Sequence, residues 1–125
     1  MIRKVVVIDD SELIRGVATF GLQHLAGWQV ITAGDGPEGL KRVASERPDV
    51  VLLDLIMPSM DGCSTYRHLK LDPATRDIPV IFLTASQSGA EWDDLAELGA
   101  TQMIAKPFDP AGLAARVAGL LGWEP

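Results

Sequence analysis

A chain of 125 residues suffices for one compact domain, residues 1–125, and leaves no room for a second independent core. With 47% hydrophobic and 22% charged residues global disorder is excluded, and a net charge of −6 with a pI near 4.7 argues against direct binding to DNA or RNA. The single Cys63 excludes an intrachain disulfide, no Cys/His cluster suits zinc, and the apolar run before Asp9 is too short for a signal peptide or membrane insertion, so a soluble cytoplasmic protein is expected.

In chain order, Val5-Val6-Val7-Ile8 predicts the first strand, followed at once by Asp9 and Asp10. Asp10 or Ser11 stands where it would cap a helix whose apolar stripe runs through Leu13, Ile14, Val17, Ala18 and Leu25. Trp28 to Ala33 alternates more and predicts an edge strand. Asp35-Gly36-Pro37 reads as a turn with proline at a tolerated first helical position; the helix continues through Leu40, Val43 and Ala44 and ends at Pro48. Val50-Val51-Leu52-Leu53 is a third strand leading to Asp54, and Cys63, Tyr66 and Leu69 mark a third helix. Val80-Ile81-Phe82-Leu83 leads to Thr84, and Trp92, Leu95 and Ala96 mark a helix that Gly99 terminates. The weaker run Met103-Ile104-Ala105 leads to Lys106, and Leu113, Val117, Leu120 and Leu121 mark the last helix. Non-alternating, β-branched runs suit strands covered on both faces, so the chain reads as about five βα units of an α/β parallel-sheet architecture. No internal repeat or low-complexity linker interrupts it.

Open parallel sheets bind ligands beyond the carboxyl ends of their strands. Asp9, Asp10, Asp54, Thr84 and Lys106 all follow strands directly, so they converge if the first and third strands are neighbours. Two carboxylates about 4 Å apart repel by roughly 4 kcal/mol at an effective dielectric of 20, and a third makes matters worse. Either their pKa values rise or a cation fills the site; oxygen-only ligands with open positions favour Mg2+. With Lys106 opposite, the space beside Asp54 fits a phosphoryl group, and a carboxylate can itself be the nucleophile that accepts it. Thr84 and the backbone N–H of Ala85 are candidates to hydrogen-bond the same oxygens. Taken singly, each residue has an ordinary explanation: the Asp pair as a helix cap, the others as strand ends. Their joint placement favours metal or phosphoryl chemistry.

The segments VVVIDDSE, VVLLDLIMPSMDG, IPVIFLTAS and AKPFD, in this order and spacing, resemble the receiver domain of two-component response regulators over essentially the whole chain. The resemblance implies a doubly wound, five-stranded parallel sheet of order 2-1-3-4-5 with helices on both faces, flavodoxin-like. It further implies that Asp54 is the phosphoacceptor, that Asp9, Asp10, Asp54 and the backbone carbonyl of Ile56 hold Mg2+, and that Thr84 and Lys106 contact the phosphoryl group. Lys106-Pro107 resembles the family's cis peptide, which X-Pro bonds make inexpensive. The implied partners are a sensor histidine kinase or histidine phosphotransfer protein and an output protein that no motif identifies. The output face would be the fourth helix, fifth strand and fifth helix, in a switch that assists its own phosphotransfer rather than a turnover enzyme.

The chain also departs from the family. Met103 stands where an aromatic residue is common, which replaces aromatic gating with a flexible thioether. By the same resemblance, Ile56 and Ser86 occupy positions that in such domains influence water access to the phosphoryl group, and an apolar Ile56 implies slow dephosphorylation. Glu91, Asp93, Asp94 and Glu97 read as a solvated helix face that, as an output surface, would prefer basic partners. His24 and His68 read as exposed helix residues, and Trp28, Trp92 and Trp123 as packing residues. A haloacid-dehalogenase-type phosphatase would need a second aspartate at position 56, which is isoleucine, and no P-loop motif occurs. A degenerate receiver that binds partners without phosphorylation is the remaining alternative. Because the sequence stops soon after the fifth helix, a single-domain regulator is expected if that end is native.

Overall fold

β-Branched runs sit between helix caps at a regular pitch, and each run becomes a parallel strand because a helix returns the chain to the same sheet edge. In the computed structural model the order is β1 (Lys4–Ile8), α1 (Glu12–Thr19), β2 (Gln29–Ala33), α2 (Gly36–Glu46), β3 (Val50–Asp54), α3 (Gly62–Leu71), β4 (Val80–Thr84), α4 (Ala90–Glu97), β5 (Met103–Ala105) and α5 (Pro110–Leu121). The structure describes residues 2–57, 60–85, 90–97, 99 and 102–123, with the backbone alone at 90–92 and 94. The strands pair in the order β2-β1-β3-β4-β5, all parallel, as expected. The more alternating β2 is indeed an edge strand.

Successive residues of the central strands bury opposite faces. Val6, Ile8, Val51, Leu53 and Phe82 pack with Val43, Leu69 and Leu95 from α2, α3 and α4. Val5, Val7, Val50, Leu52, Ile81 and Leu83 pack with Ala18, Leu22, Leu113 and Val117 from α1, α5 and the segment between α1 and β2. Two covered faces explain why these runs do not alternate in sequence.

Helix ends follow local chemistry. Ser11, not Asp10, caps α1 by accepting from the Ile14 amide; Asp35, Asp61 and Asp109 cap α2, α3 and α5 in the same way. The first helix departs from expectation after Thr19, where it widens into a π-helical segment, Phe20–Leu25. The wider turn rotates Leu25 outward to 52% exposure, and Leu13, earlier on the stripe, is 74% exposed, whereas Leu22 is fully buried. Gly21 in this segment lies against α5: a Cβ there would stand 2.5 Å from the Pro110 carbonyl oxygen, so only glycine permits the approach.

His24 and His68 are exposed, as expected. Trp28 and Trp123 pack edge to face with centroids 5.7 Å apart, and the Arg3 guanidinium lies 4.1 Å over the Trp123 ring. The expectations for Ser86 and for the side chains of Glu91, Trp92 and Asp94 fall outside the described residues. Among the described residues no helix is long and apolar enough to cross a membrane.

Candidate functional site at the carboxyl edge of the sheet

Because β1 and β3 are neighbours, the residues that end them meet. Ile8 pairs with Leu53, so Asp9 and Asp54 emerge side by side. On the other flank Asp54 pairs with Leu83 and Thr84 with Ala105, and the Lys106 amide donates to the Thr84 carbonyl at 2.8 Å. One sheet edge thus collects side chains from four strand ends.

Lys106 is the centre of the arrangement. Its Nζ donates to Asp54 Oδ1 at 2.8 Å and lies 2.9 Å from Asp9 Oδ2. Carboxylate oxygens of Asp9, Asp10 and Asp54 all lie within 4.8 Å of one another. Asp9 is fully buried, Asp54 is 5% exposed and Asp10 is exposed, so the cluster opens to solvent on the Asp10 side.

The electrostatic strain foreseen from the residue types is present. Burial pushes the Asp54 carboxyl up to about 6; the hydrogen bond and charge of Lys106 oppose this, while Asp9's charge and a hydrogen bond with Asp10 add to it. Burial alone would lower the Lys106 ammonium, but its contacts with Asp54 and Asp9 and their charges outweigh burial, so its net shift is upward and it remains charged. Among the described residues Asp9 Oδ2 is buried with no aligned hydrogen-bond donor, since Lys106 meets it as an ion pair. A buried carboxylate oxygen lacking a donor, beside two more carboxylates, is the donor set that a hard divalent cation satisfies. The residues present therefore fit Mg2+.

The residues directly after β3 and the start of α3 are held close to this site. Ile56 donates its amide to Asp54 Oδ1 at 3.4 Å, and the Gly62 amide donates to the Leu55 carbonyl at 2.8 Å. A Cβ on Gly62 would collide with the Asp54 carbonyl oxygen and stand 2.7 Å from the Leu55 Cα, so glycine lets α3 begin directly beneath the acidic cluster. The Ile56 side chain is 62% exposed. Thr84 is buried at the end of β4, and Ala85 follows it, exposed. Lys106-Pro107 is cis.

Asp9, Asp10, Asp54 and Lys106 are thus brought together, with Thr84, Ala85 and Ile56 at the same edge. Two contributors were not read from the sequence. The Ser11 amide donates to Asp9 Oδ1 at 2.9 Å, and Arg15 Nη1 donates to the Asp9 backbone carbonyl at 2.8 Å. The Ser11 contact was accessible as cap chemistry, whereas a guanidinium reaching back to a main-chain carbonyl has no sequence signature.

Strand order and edge chemistry together define a doubly wound, flavodoxin-like receiver fold with an acidic pocket and a lysine. A family model for the response regulator receiver domain matches residues 5–118. The chain is 37% identical over 123 residues to the alkaline phosphatase synthesis transcriptional regulatory protein PhoP of Bacillus subtilis, covering 97% of this chain and 49% of that protein. It is 40% identical over 121 residues to the response regulator PleD of Caulobacter vibrioides, covering 96% of this chain and 26% of that protein. The chain spans about half the length, or less, of these curated relatives. Among solved structures, the chemotaxis response regulator CheY4 of Vibrio cholerae is similar with a TM-score of 0.87 at 32% identity, covering 96% of this chain and 99% of that one. The chain belongs to the receiver-domain family of two-component response regulators.

Proposed function

We propose that this receiver domain is a phosphorylation-controlled signalling switch in which Asp54 accepts a phosphoryl group from a sensor histidine kinase or a histidine phosphotransfer protein. The observation that carries the reading is the position of the Lys106 ammonium, 2.8 Å from Asp54 Oδ1 and 2.9 Å from Asp9 Oδ2, beside a carboxylate triad suited to one divalent cation. In the transfer an Asp54 oxygen attacks phosphorus while the bond to the donor imidazole nitrogen breaks; the electron pair leaves with the ring, and an aspartyl phosphate forms.

Lys106 neutralises oxygens of the transferring group, and Thr84 with the Ala85 amide donates to them. Asp9, Asp10, Asp54 and the Ile56 carbonyl would hold Mg2+, which would spread the remaining negative charge. Phosphorylation replaces one carboxylate charge by about −1.5 to −2, and Lys106 and Thr84 follow the new oxygens. Both lie at the edge shared by β4 and β5, so the change reaches the α4–β5–α5 face, which an output protein reads. Partly buried Met103 on β5 adapts to that movement in place of an aromatic side chain. Asp93 and Glu97 are exposed on α4 and favour a basic partner. The exposed Ile56 presents apolar surface at the mouth of the site, which slows attack of water on the aspartyl phosphate. A cytoplasmic setting, no direct nucleic-acid contact and no catalytic turnover belong to the same reading.

Incubation with acetyl phosphate and Mg2+, followed by intact-mass measurement, tests it. A single phosphate adduct that disappears in Asp54→Asn is expected, together with weaker Mg2+ binding in Asp10→Ala. Turnover of a phosphomonoester would instead identify a phosphatase. No adduct from acetyl phosphate or from a panel of kinases would leave a phosphorylation-independent interaction module.

A further inference from the structure

Three of the four polar atoms of Asp9 are hydrogen-bonded, and Oδ2 meets only the charge of Lys106. The Asp9 amide donates to the Ala33 carbonyl at 3.1 Å, its Oδ1 accepts from the Ser11 amide at 2.9 Å, and its Oδ2 faces Lys106 at 2.9 Å. The fourth atom, its backbone carbonyl just past the end of β1, accepts from Arg15 Nη1 at 2.8 Å. Arg15 is tied down in turn: its amide donates to the carbonyl of the capping Ser11 at 3.0 Å, and its own carbonyl accepts from Thr19 Oγ1 at 2.8 Å. The guanidinium lies over the start of the β2–α2 turn, 3.5 Å from where a Cβ on Gly34 would stand.

One side chain therefore ties α1 to the end of β1 at the residue that begins the acidic pair, beside the start of the β2–α2 turn. We propose that Arg15 is a positioning residue for the divalent-cation site, fixing the backbone from which Asp9 and Asp10 project. The proposal rests on the reading that the carboxylate triad takes Mg2+. A bound carboxylate must keep its orientation against repulsion from two neighbours, and that orientation is set by the peptide Arg15 holds. Arg15 touches neither the acceptor nor any carboxylate oxygen in the described hydrogen bonds and ion pairs, so it acts through Asp9.

Its charge and its hydrogen bond make opposite predictions, which makes the idea testable. A nearby positive charge disfavours a cation, so if charge were the whole effect, removing Arg15 would tighten Mg2+ binding. Loss of the latch weakens it, and outer-shell partners of metal ligands typically contribute about 10–100-fold in affinity. Partly buried Arg15 lines an open depression with Thr19, Phe20 and Thr32, so truncation opens no core void.

Calorimetric Mg2+ titration of the wild type, Arg15→Met and Arg15→Lys, with amide exchange followed at Ser11, decides between them. Arg15→Met is expected to bind Mg2+ about 10–100-fold more weakly and to exchange the Ser11 amide faster even without metal. Arg15→Lys, with the charge but a shorter single donor, is expected to fall between. Equal or tighter binding in a folded Arg15→Met overturns the proposal. If Arg15→Met does not fold, unchanged affinity in Arg15→Lys overturns it, and a several-fold loss sustains it. Failure of the wild type to bind Mg2+ would overturn the cation site itself, a result distinct from failure of the latch alone.

Discussion

The two ends of β1 handle charge in opposite ways. At its amino end Lys4 Nζ lies 3.4 Å from Glu46 Oε1 and donates to the Glu46 carbonyl at 3.2 Å, while the Lys4 amide donates to Asp49 Oδ2 at 2.7 Å. That pair is balanced, and its side chains are 32% and 31% exposed. At the carboxyl end three carboxylates face one ammonium, and Asp9 and Asp54 are almost wholly buried. Screened, balanced charges add little either way, whereas buried charges in excess are destabilising until something positive or a proton arrives. The same strand thus ends once in ordinary surface chemistry and once in a site held out of electrostatic balance, and the proposed function uses the second.

The largest break in this contrast is Lys106→Met. Removing one partner of a buried pair costs about 3–5 kcal/mol in general, and here Asp54 escapes part of that cost by taking up a proton. Urea unfolding without metal is expected to show a loss of about 3 kcal/mol at pH 8 and a smaller loss at pH 5. Equal losses at the two pH values would mean that the ammonium does not neutralise the buried acids.

Asp54→Asn should move stability the other way. The carboxyl pKa is raised by burial from 3.8 to about 6 in the folded protein, so the stability linked to its protonated form is fully present below 3.8 and is lost as pH rises through 6. Asparagine does not titrate. The variant is therefore expected to match the wild type near pH 4 and to exceed it by about 2 kcal/mol at pH 8 in the absence of metal. A variant less stable than the wild type at pH 8 would show that the Lys106 hydrogen bond outweighs burial at this position.

How much of this contrast could be read from sequence depends on which atoms carry it. The strands were legible because both faces are buried, which leaves uninterrupted runs such as Val50 to Leu53, and the acidic pocket was legible because its residues follow those runs directly. Backbone-mediated features were not. Periodicity assigned Leu13 and Leu25 to the buried stripe of the first helix, yet both are exposed and Leu22 carries the packing; at Leu25 the reason is a π-helical turn, which changes the phase without changing composition. Arg15 escaped for a related reason: its partner is the Asp9 carbonyl, and every residue has one. The burial of Asp9 against the exposure of Asp10 was equally hidden, because adjacent aspartates look alike until the sheet edge separates them.

The smallest effect tests the other arm of the comparison. In Glu46→Gln the Lys4 ammonium keeps its bond to the position-46 carbonyl, and the Lys4 amide keeps Asp49, so only the partly exposed charge pair is lost. Such pairs are worth about 0.2–1 kcal/mol, less here because solvent reaches both side chains. Thermal unfolding is expected to show a drop of under about 0.5 kcal/mol that disappears in 1 M salt, where the screening length is about 3 Å. The pH profile between 4 and 8 should be unchanged, because the group that distorts that profile, Asp54, lies at the opposite edge of the sheet. A salt-independent loss above about 1 kcal/mol would mean that the amino end also relies on desolvated charge, and the asymmetry between the two ends of β1 would no longer single out the carboxyl edge as the functional one.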